Sequence, residues 1–202
     1  VNGAFHRISH LQRLQGRFLS SVVGKNDSVE GLTHLRRTKD SVVLPRMVDV
    51  SSKQNTLRVA TAMGKVEIPK NVAEKIRQTQ SASDKVEILG KKGPIIATSI
   101  VAGVMAVKKT HELIPFCHAI PIEGCDISVE WEKGSEERNV LEIFCTVKTS
   151  GKTGVEMEAL VGVSNTALCI YDMLKALSHD IRIFDIQLES KRGGKSDFKR
   201  ST

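Results

Sequence analysis

Two stretches of this chain alternate strictly between apolar and polar positions. Ile127, Val129 and Trp131 alternate with Asp126, Ser128, Glu130 and Glu132. After a turn around Gly134, Leu141, Ile143, Cys145 and Val147 alternate with Glu142, Phe144, Thr146 and Lys148. A period of two puts successive side chains on opposite faces, so the pattern predicts a hairpin with one wet face. Phe184, Ile186 and Leu188 alternate with Asp185, Gln187 and Glu189 and predict a last strand, and Leu57 to Met63 reads as a first one. Between them the period lengthens. Pro69 stands where a helix begins, and Val72, Ala73 and Ile76 give that helix one apolar face. Pro94 opens a second helix through Ile95, Ile96, Ile100, Val104 and Val107 toward Thr110. Its apolar residues wrap most of the way round, which predicts deep burial. A long third helix runs from about Val155 to Leu177. Strand, helices, strand, strand, helix, strand is the ferredoxin-like split arrangement, an α+β fold with helices packed on one face of an antiparallel sheet.

Charge changes the picture at the N-terminus. The 202 residues carry a formal +7, yet residues 1–46 hold eight basic and three acidic side chains, leaving 22 and 20 for residues 47–202. The nearly balanced remainder argues against a general surface for polyanions. The first 25 residues have Arg7, Arg13, Arg17 and Lys25 and no acid, with Phe5, Ile8, Leu11, Leu14 and Phe18 at helical spacing. That composition reads as an organelle transit peptide, mitochondrial rather than secretory, with a plain basic tail as the alternative. Residues 26–46 are polar and mixed and read as linker, so 1–46 form a targeting arm and 47–202 the folded domain. Cys117, Cys125, Cys145 and Cys169 include no C-x-x-C pair, which excludes a zinc knuckle or thioredoxin motif and fits reduced thiols. The longest apolar stretch, Ile95 to Val107, is too short to span a bilayer.

Reactive side chains concentrate at the element boundaries. Cys117 and His118 follow Pro115, which ends the second helix. Neighbours on extended chain point apart, so His118 suits a phosphate ligand or acid/base better than a partner to Cys117, with a structural role as the alternative. Gly151-Lys152-Thr153-Gly154 resembles a phosphate loop, but that motif requires Gly where Thr146 stands. The glycine-flanked turn ahead of a helix still offers backbone N–H groups to an anion. Glu156 and Glu158 fall in the first helical turn, where carboxylates also complement the helix dipole. Asp172 and Lys175, three apart, share a helix face and read either as an exposed ion pair or, among Ile170, Tyr171, Met173 and Leu174, as a partly buried proton donor. Lys91-Lys92-Gly93 and Gly193-Gly194-Lys195-Ser196 are glycine-flanked lysine loops, each by default solvated.

Four blocks taken together, LIPFCH (113–118), GKTGVEMEAL (151–160), IYDMLKA (170–176) and GGKSDFK (193–199), resemble the cyclic pyranopterin monophosphate synthase family, the C protein of molybdenum-cofactor synthesis. The likeness starts at Met47-Val48-Asp49-Val50-Ser51 and leaves out residues 1–46, as in an organelle-targeted eukaryotic version. It implies a ferredoxin-like homohexamer, a trimer of dimers, with sites at subunit interfaces, while the basic, acid-free arm sets the expected location in the mitochondrial matrix. It implies that Asp172 and Lys175 are the catalytic pair and that Phe116, Cys117, His118, Met157 and Glu158 line the substrate pocket. Lys53, Arg58, Lys92, Glu156 and Lys195 would complete the charged site. The family pattern has Gly between Ser196 and Asp197, which this chain lacks. The implied reaction turns a small nucleotide-derived substrate, 3′,8-cyclo-7,8-dihydroguanosine 5′-triphosphate, into cyclic pyranopterin monophosphate and diphosphate without a redox step. Lys175 would serve as general acid oriented by Asp172, while Arg58, Lys92 and Lys195 neutralise the departing diphosphate. No required cofactor is expected and no acidic metal cage is present, so magnesium would enter only with the triphosphate. An RNA-binding module is the competing class, but a chain with 4% aromatic residues offers few stacking platforms, so no nucleic-acid partner is expected. A non-catalytic nucleotide sensor is the other alternative.

Overall fold

A computed structural model describes residues 35–37, 42–79, 87–133 and 139–201. The arm at residues 1–25 and the turn around Gly134 lie outside them. Contacts divide the chain into two units, 1–49 and 50–202. In the first unit, β1 (Leu35–Arg37) pairs antiparallel with β2 (Val43–Pro45), Leu35 opposite Pro45. The stretch read as plain linker thus contains a short ladder, for which Val43 and Leu44 supply strand-forming side chains.

The second unit is built on a five-stranded antiparallel sheet in the order β6-β7-β3-β8-β9. Its strands are β3 (Thr56–Glu67), β6 (Gly124–Trp131), β7 (Val140–Gly151), β8 (Arg182–Arg192) and β9 (Phe198–Lys199). β3 pairs with β7 over its whole length, from Thr56 opposite Gly151 to Glu67 opposite Val140. The hairpin alternation is obeyed. Ile127, Val129, Leu141, Ile143, Cys145 and Val147 are buried, and Asp126, Glu130 and Lys148 are exposed. On the face opposite these core residues Lys65 lies 2.6 Å from Glu132 and 3.2 Å from Glu142, and the Glu132 carboxylate holds its ammonium above the ordinary lysine range. β8 breaks the expected alternation. Its pairing with β3 shifts register twice, and Asp185 adopts φ 50°. Each extra residue in a bulge turns the following side chains over, which leaves Ile186 39% exposed.

Among the described residues the helices are α1 (Lys70–Thr79), α2 (Ile95–Lys108), a short α3 (Thr110–Leu113) and α4 (Glu156–Leu174). Val72, Ala73 and Ile76 of α1 are buried. Pro94 stands at the N-cap of α2 without a capping side chain. Instead the Glu87 carboxylate accepts from the N–H groups of Ile96 (3.0 Å) and Ala97 (3.1 Å), satisfying donors that have no partner inside the helix. α2 crosses α4 closely. A Cβ built on Gly162 would fall 2.6 Å from Cys145 Sγ and 2.7 Å from Val107 Cγ2. The Asn165 side-chain amide donates 2.8 Å across the crossing to the Ala102 carbonyl. Ala159, Val163, Ala167, Ile170 and Leu174 of α4 complete the core above the sheet. Burial of each large aliphatic side chain there contributes about 1.5–3 kcal/mol.

Deep burial of α2 is not what the fold shows. Ile95, Ile96, Ser99, Gly103, Ala106 and Val107 are buried, whereas Val101 is 59% and Met105 57% exposed. The helix meets α4 and β6 along one side only, so its second apolar side faces outward within the single chain.

Candidate active site

Three loops at the N-terminal end of α4 enclose a cavity of ≈ 530 Å³, a size suited to a small molecule. The first is the turn before β3, which carries Lys53 and leads to Arg58. The second joins β7 to α4 and carries Lys152 and Glu156. The third leaves β8 through Lys191, Arg192 and Lys195. Six cationic side chains therefore line the cavity against one carboxylate, that of Glu156. Such a surplus suits a ligand carrying several negative charges.

Short bonds tie the loops together. The Arg58 Nε donates to the Gly151 carbonyl at 3.2 Å, and Lys152 Nζ donates to the Ser51 carbonyl at 2.7 Å. Thr56 Oγ1 donates to the Gly193 carbonyl at 2.8 Å, and Lys191 pairs with Glu156 at 3.2 Å. Gly193 has φ 87°, and a Cβ there would overlap the Leu57 carbonyl oxygen, so this corner admits only glycine. Gly193 N donates to Asp197 Oδ1 at 3.1 Å, closing the turn that presents Lys195 although the family's extra glycine after Ser196 is missing.

Glu156, Met157 and Glu158 form the first turn of α4, which has no side-chain cap. Met157 is 37% exposed, whereas Glu158 is only 4% exposed. Burial pushes the Glu158 carboxyl above the ordinary glutamate range. Its own backbone N–H opposes that shift, and the Glu156 charge adds to it. Cys117, in the turn closed by its N–H to the Ile114 carbonyl at 3.0 Å, is raised by burial and then by the Glu158 charge. Both causes favour the protonated thiol. Phe116, Cys117 and His118 are all half-buried in this segment.

A second cluster sits at the other end of α4. Asp172 bridges Lys175 at 2.7 Å and Lys92 at 3.1 Å, Lys92 standing in the turn between β4 (Leu89–Gly90) and β5 (Gly93–Pro94). The Lys175 and Lys92 ammonium groups hold the Asp172 carboxyl below its usual range, and Asp172 holds Lys175 above its own. The partly apolar surroundings expected for this pair are absent. The side chains of Asp172, Lys175 and Lys92 are 53%, 48% and 61% exposed, because the apolar neighbours on α4 turn away toward the core.

The structure thus gathers Lys53, Arg58, Glu156 and Lys195 into one cavity, places Met157 and Glu158 in the helical turn that Glu156 begins, and gathers Lys92, Asp172 and Lys175 elsewhere. Sixteen helical residues separate Glu156 from Asp172, an axial distance of about 24 Å. Extended lysine side chains do not span that gap. Sequence reasoning missed Lys152, Lys191 and Arg192 as cavity residues. Their signal was present in the basic residues flanking Gly151 and the Gly193-Gly194 pair, but a loop lysine carries no periodicity to show where it converges. Among the described residues, no group of three or more His, Cys, Asp or Glu side chains is placed to hold a metal, and no helix is long and apolar enough to cross a membrane.

Comparison with known proteins identifies the family. Residues 47–194 match the MoaC family. The chain is 51% identical over 166 residues to a cyclic pyranopterin monophosphate synthase of Xanthomonas campestris pv. campestris (strain B100), covering 82% of this chain and 92% of that protein. It is 43% identical over 165 residues to the protein of the same name from Helicobacter pylori (strain Shi470), covering 82% and 94%. It is 48% identical over 174 residues to molybdenum cofactor biosynthesis protein 1 of Dictyostelium discoideum, covering 82% of this chain but 27% of that longer protein. With the match running from Met47 through the Asp172–Lys175 pair to Gly194, and with relatives about half identical over most of their length, this chain belongs to the MoaC family.

Proposed function

We propose that this chain converts 3′,8-cyclo-7,8-dihydroguanosine 5′-triphosphate to cyclic pyranopterin monophosphate and diphosphate in molybdenum-cofactor synthesis. The observation that carries the reading is the cavity itself, six cations against one carboxylate at the N-terminus of α4. A triphosphate places several negative charges in such a space, and the charge developing on leaving diphosphate is stabilised by Arg58 and Lys195. Opening the imidazole ring and rebuilding a pterin calls for several proton transfers. Lys175, held protonated by Asp172, supplies the general acid, and His118 serves the second transfer position. Lys92 bonds to Asp172 and joins that group. Glu158, uncharged more readily than an ordinary glutamate, and Met157, Phe116 and Cys117 shape the pocket wall. No cofactor is required, magnesium arriving only with the triphosphate.

Each site draws on two copies of the chain. The two clusters lie about 24 Å apart along one helix, so a partner's Asp172 end must approach the Lys195 end for both to touch one substrate. Outward-facing Val101, Met105 and Leu168, each more than half exposed, supply apolar surface for such an assembly, which we assign as a homohexamer, a trimer of dimers. The acid-free, arginine-bearing first 25 residues support delivery to the mitochondrial matrix, in a eukaryotic version of the family. A reporter fused to residues 1–46 that stayed in the cytosol would remove that address.

The deciding experiment supplies purified chain with the cyclised guanosine triphosphate and follows diphosphate and pterin together. Equal yields of both are expected, and Lys175→Ala should lose about 100-fold or more in kcat while still binding substrate. Binding without either product would leave a nucleotide sensor.

A further inference from the structure

We propose that Lys152 is a positioning residue for the cavity, holding in place the turn that carries Lys53 rather than binding the ligand through its own charge. The inference deepens the polyphosphate reading above and rests on it for the binding arm of its test. Lys152 Nζ donates 2.7 Å to the carbonyl of Ser51, a residue 101 positions earlier in the chain. A charged donor on a neutral carbonyl makes a stronger bond than a neutral pair. Two residues on, Lys53 N donates 3.1 Å to the Val50 carbonyl, so Ser51 sits inside the turn that ends at Lys53. That turn precedes β3, whose regular pairing begins only at Thr56, and no ladder bond fixes it. Lys152 is half-buried while Lys53 is fully at the surface of the cavity. A half-buried lysine bonded to backbone and an exposed lysine lining the cavity have different work to do. The first orders a segment, and the second supplies charge to whatever enters. The bond also joins two of the three cavity loops, alongside the Arg58 tie to Gly151.

A positioning role makes Lys152 and Lys53 act through one interaction, so their losses must not add. The test measures inorganic diphosphate binding by calorimetry for the unaltered chain, Lys53→Met, Lys152→Met and the double variant. Each single change is expected to weaken binding by about tenfold, a loss of about 1.4 kcal/mol. The double variant should bind about as weakly as Lys53→Met alone, and Lys152→Arg, which can still donate to the Ser51 carbonyl, should recover most of the loss. A double variant weakened by the product of the two single effects would make Lys152 a direct ligand and overturn the proposal. Amide hydrogen exchange at Lys53 gives a readout that needs no ligand. It should quicken in Lys152→Met, and unchanged exchange there would also overturn the proposal. Should the unaltered chain bind no diphosphate while that exchange still quickens, the polyphosphate reading fails and the positioning role stands.

Discussion

The Glu158 carboxylate is buried at a cost to the fold. Burial raises its folded-state pKa above that of the unfolded chain, so the folded state binds its proton first as pH falls. This group therefore favours folding at acidic pH, and that contribution is lost as pH rises through the folded-state value. Glu158→Gln removes the titration. Its Tm should exceed that of the unaltered chain near pH 7, and the difference should shrink as pH falls and both states take up the proton. Each kcal/mol of relieved burial is worth about 2–4 °C in a chain of this size. The same change removes a negative charge beside Cys117, so site-resolved alkylation of that thiol should speed up at neutral pH. A Tm difference that ignored pH would mean that Glu158 is not a buried titrating group. Asp172 behaves oppositely. Its pKa is depressed by Lys175 and Lys92, but all three side chains are about half exposed, so the pairing contributes little to stability.

At the level of helices and strands, the close crossing of α2 on α4 decides how the core closes. Gly103 sits where a Cβ would run into Thr166 Oγ1 and the Ile127 side chain and come within 3.1 Å of the Gly162 carbonyl. Alanine at position 103 gains about 1 kcal/mol in helix propensity over glycine. Overpacking a closed core costs about 1–3 kcal/mol, and here the obstacles include backbone that cannot rotate away. The cost wins, so Gly103→Ala should lower the urea midpoint with an unchanged m-value. A midpoint that rose would show that the helices separate more freely than their spacing indicates. This crossing was not readable from periodicity. The pattern marked α2 as apolar nearly all round and so predicted a buried helix, when one apolar side packs on α4 and the other, with Val101 and Met105, is outward.

For the assembled molecule, the separation of the two clusters along α4 has a direct consequence. If a site needs the Asp172–Lys175 end of one copy and the Lys195 end of another, two inactive variants can repair each other. Lys175→Ala and Lys195→Ala should each be inactive alone. After equal mixing and reassembly, roughly a quarter of sites draw both intact ends and activity returns to that extent. Mixed assemblies with no recovered turnover would place each complete site within one chain. Changing Val101 and Met105 to aspartate should reduce the particle size in solution and abolish activity together, with secondary structure retained.

The local pattern was sufficient for the most regular strands and helices. β6, β7 and α1 lie where the periods of 2 and 3.6 place them, with proline at or next to the helix starts, because those signals depend on neighbours a few residues apart. The quoted motifs likewise carried the family, since three of the blocks, LIPFCH, GKTGVEMEAL and IYDMLKA, lie in order within the matched residues. Spatial convergence was beyond such signals. The bond of Lys152 to Ser51, the pairing of Lys92 with Asp172 80 positions away, and the entry of Lys191 and Arg192 into the cavity join segments far apart in the chain. The bulges of β8 and the outward side of α2 escaped for a related reason. Alternation tells which residues avoid water, but register and helix crossing decide which neighbour keeps it away.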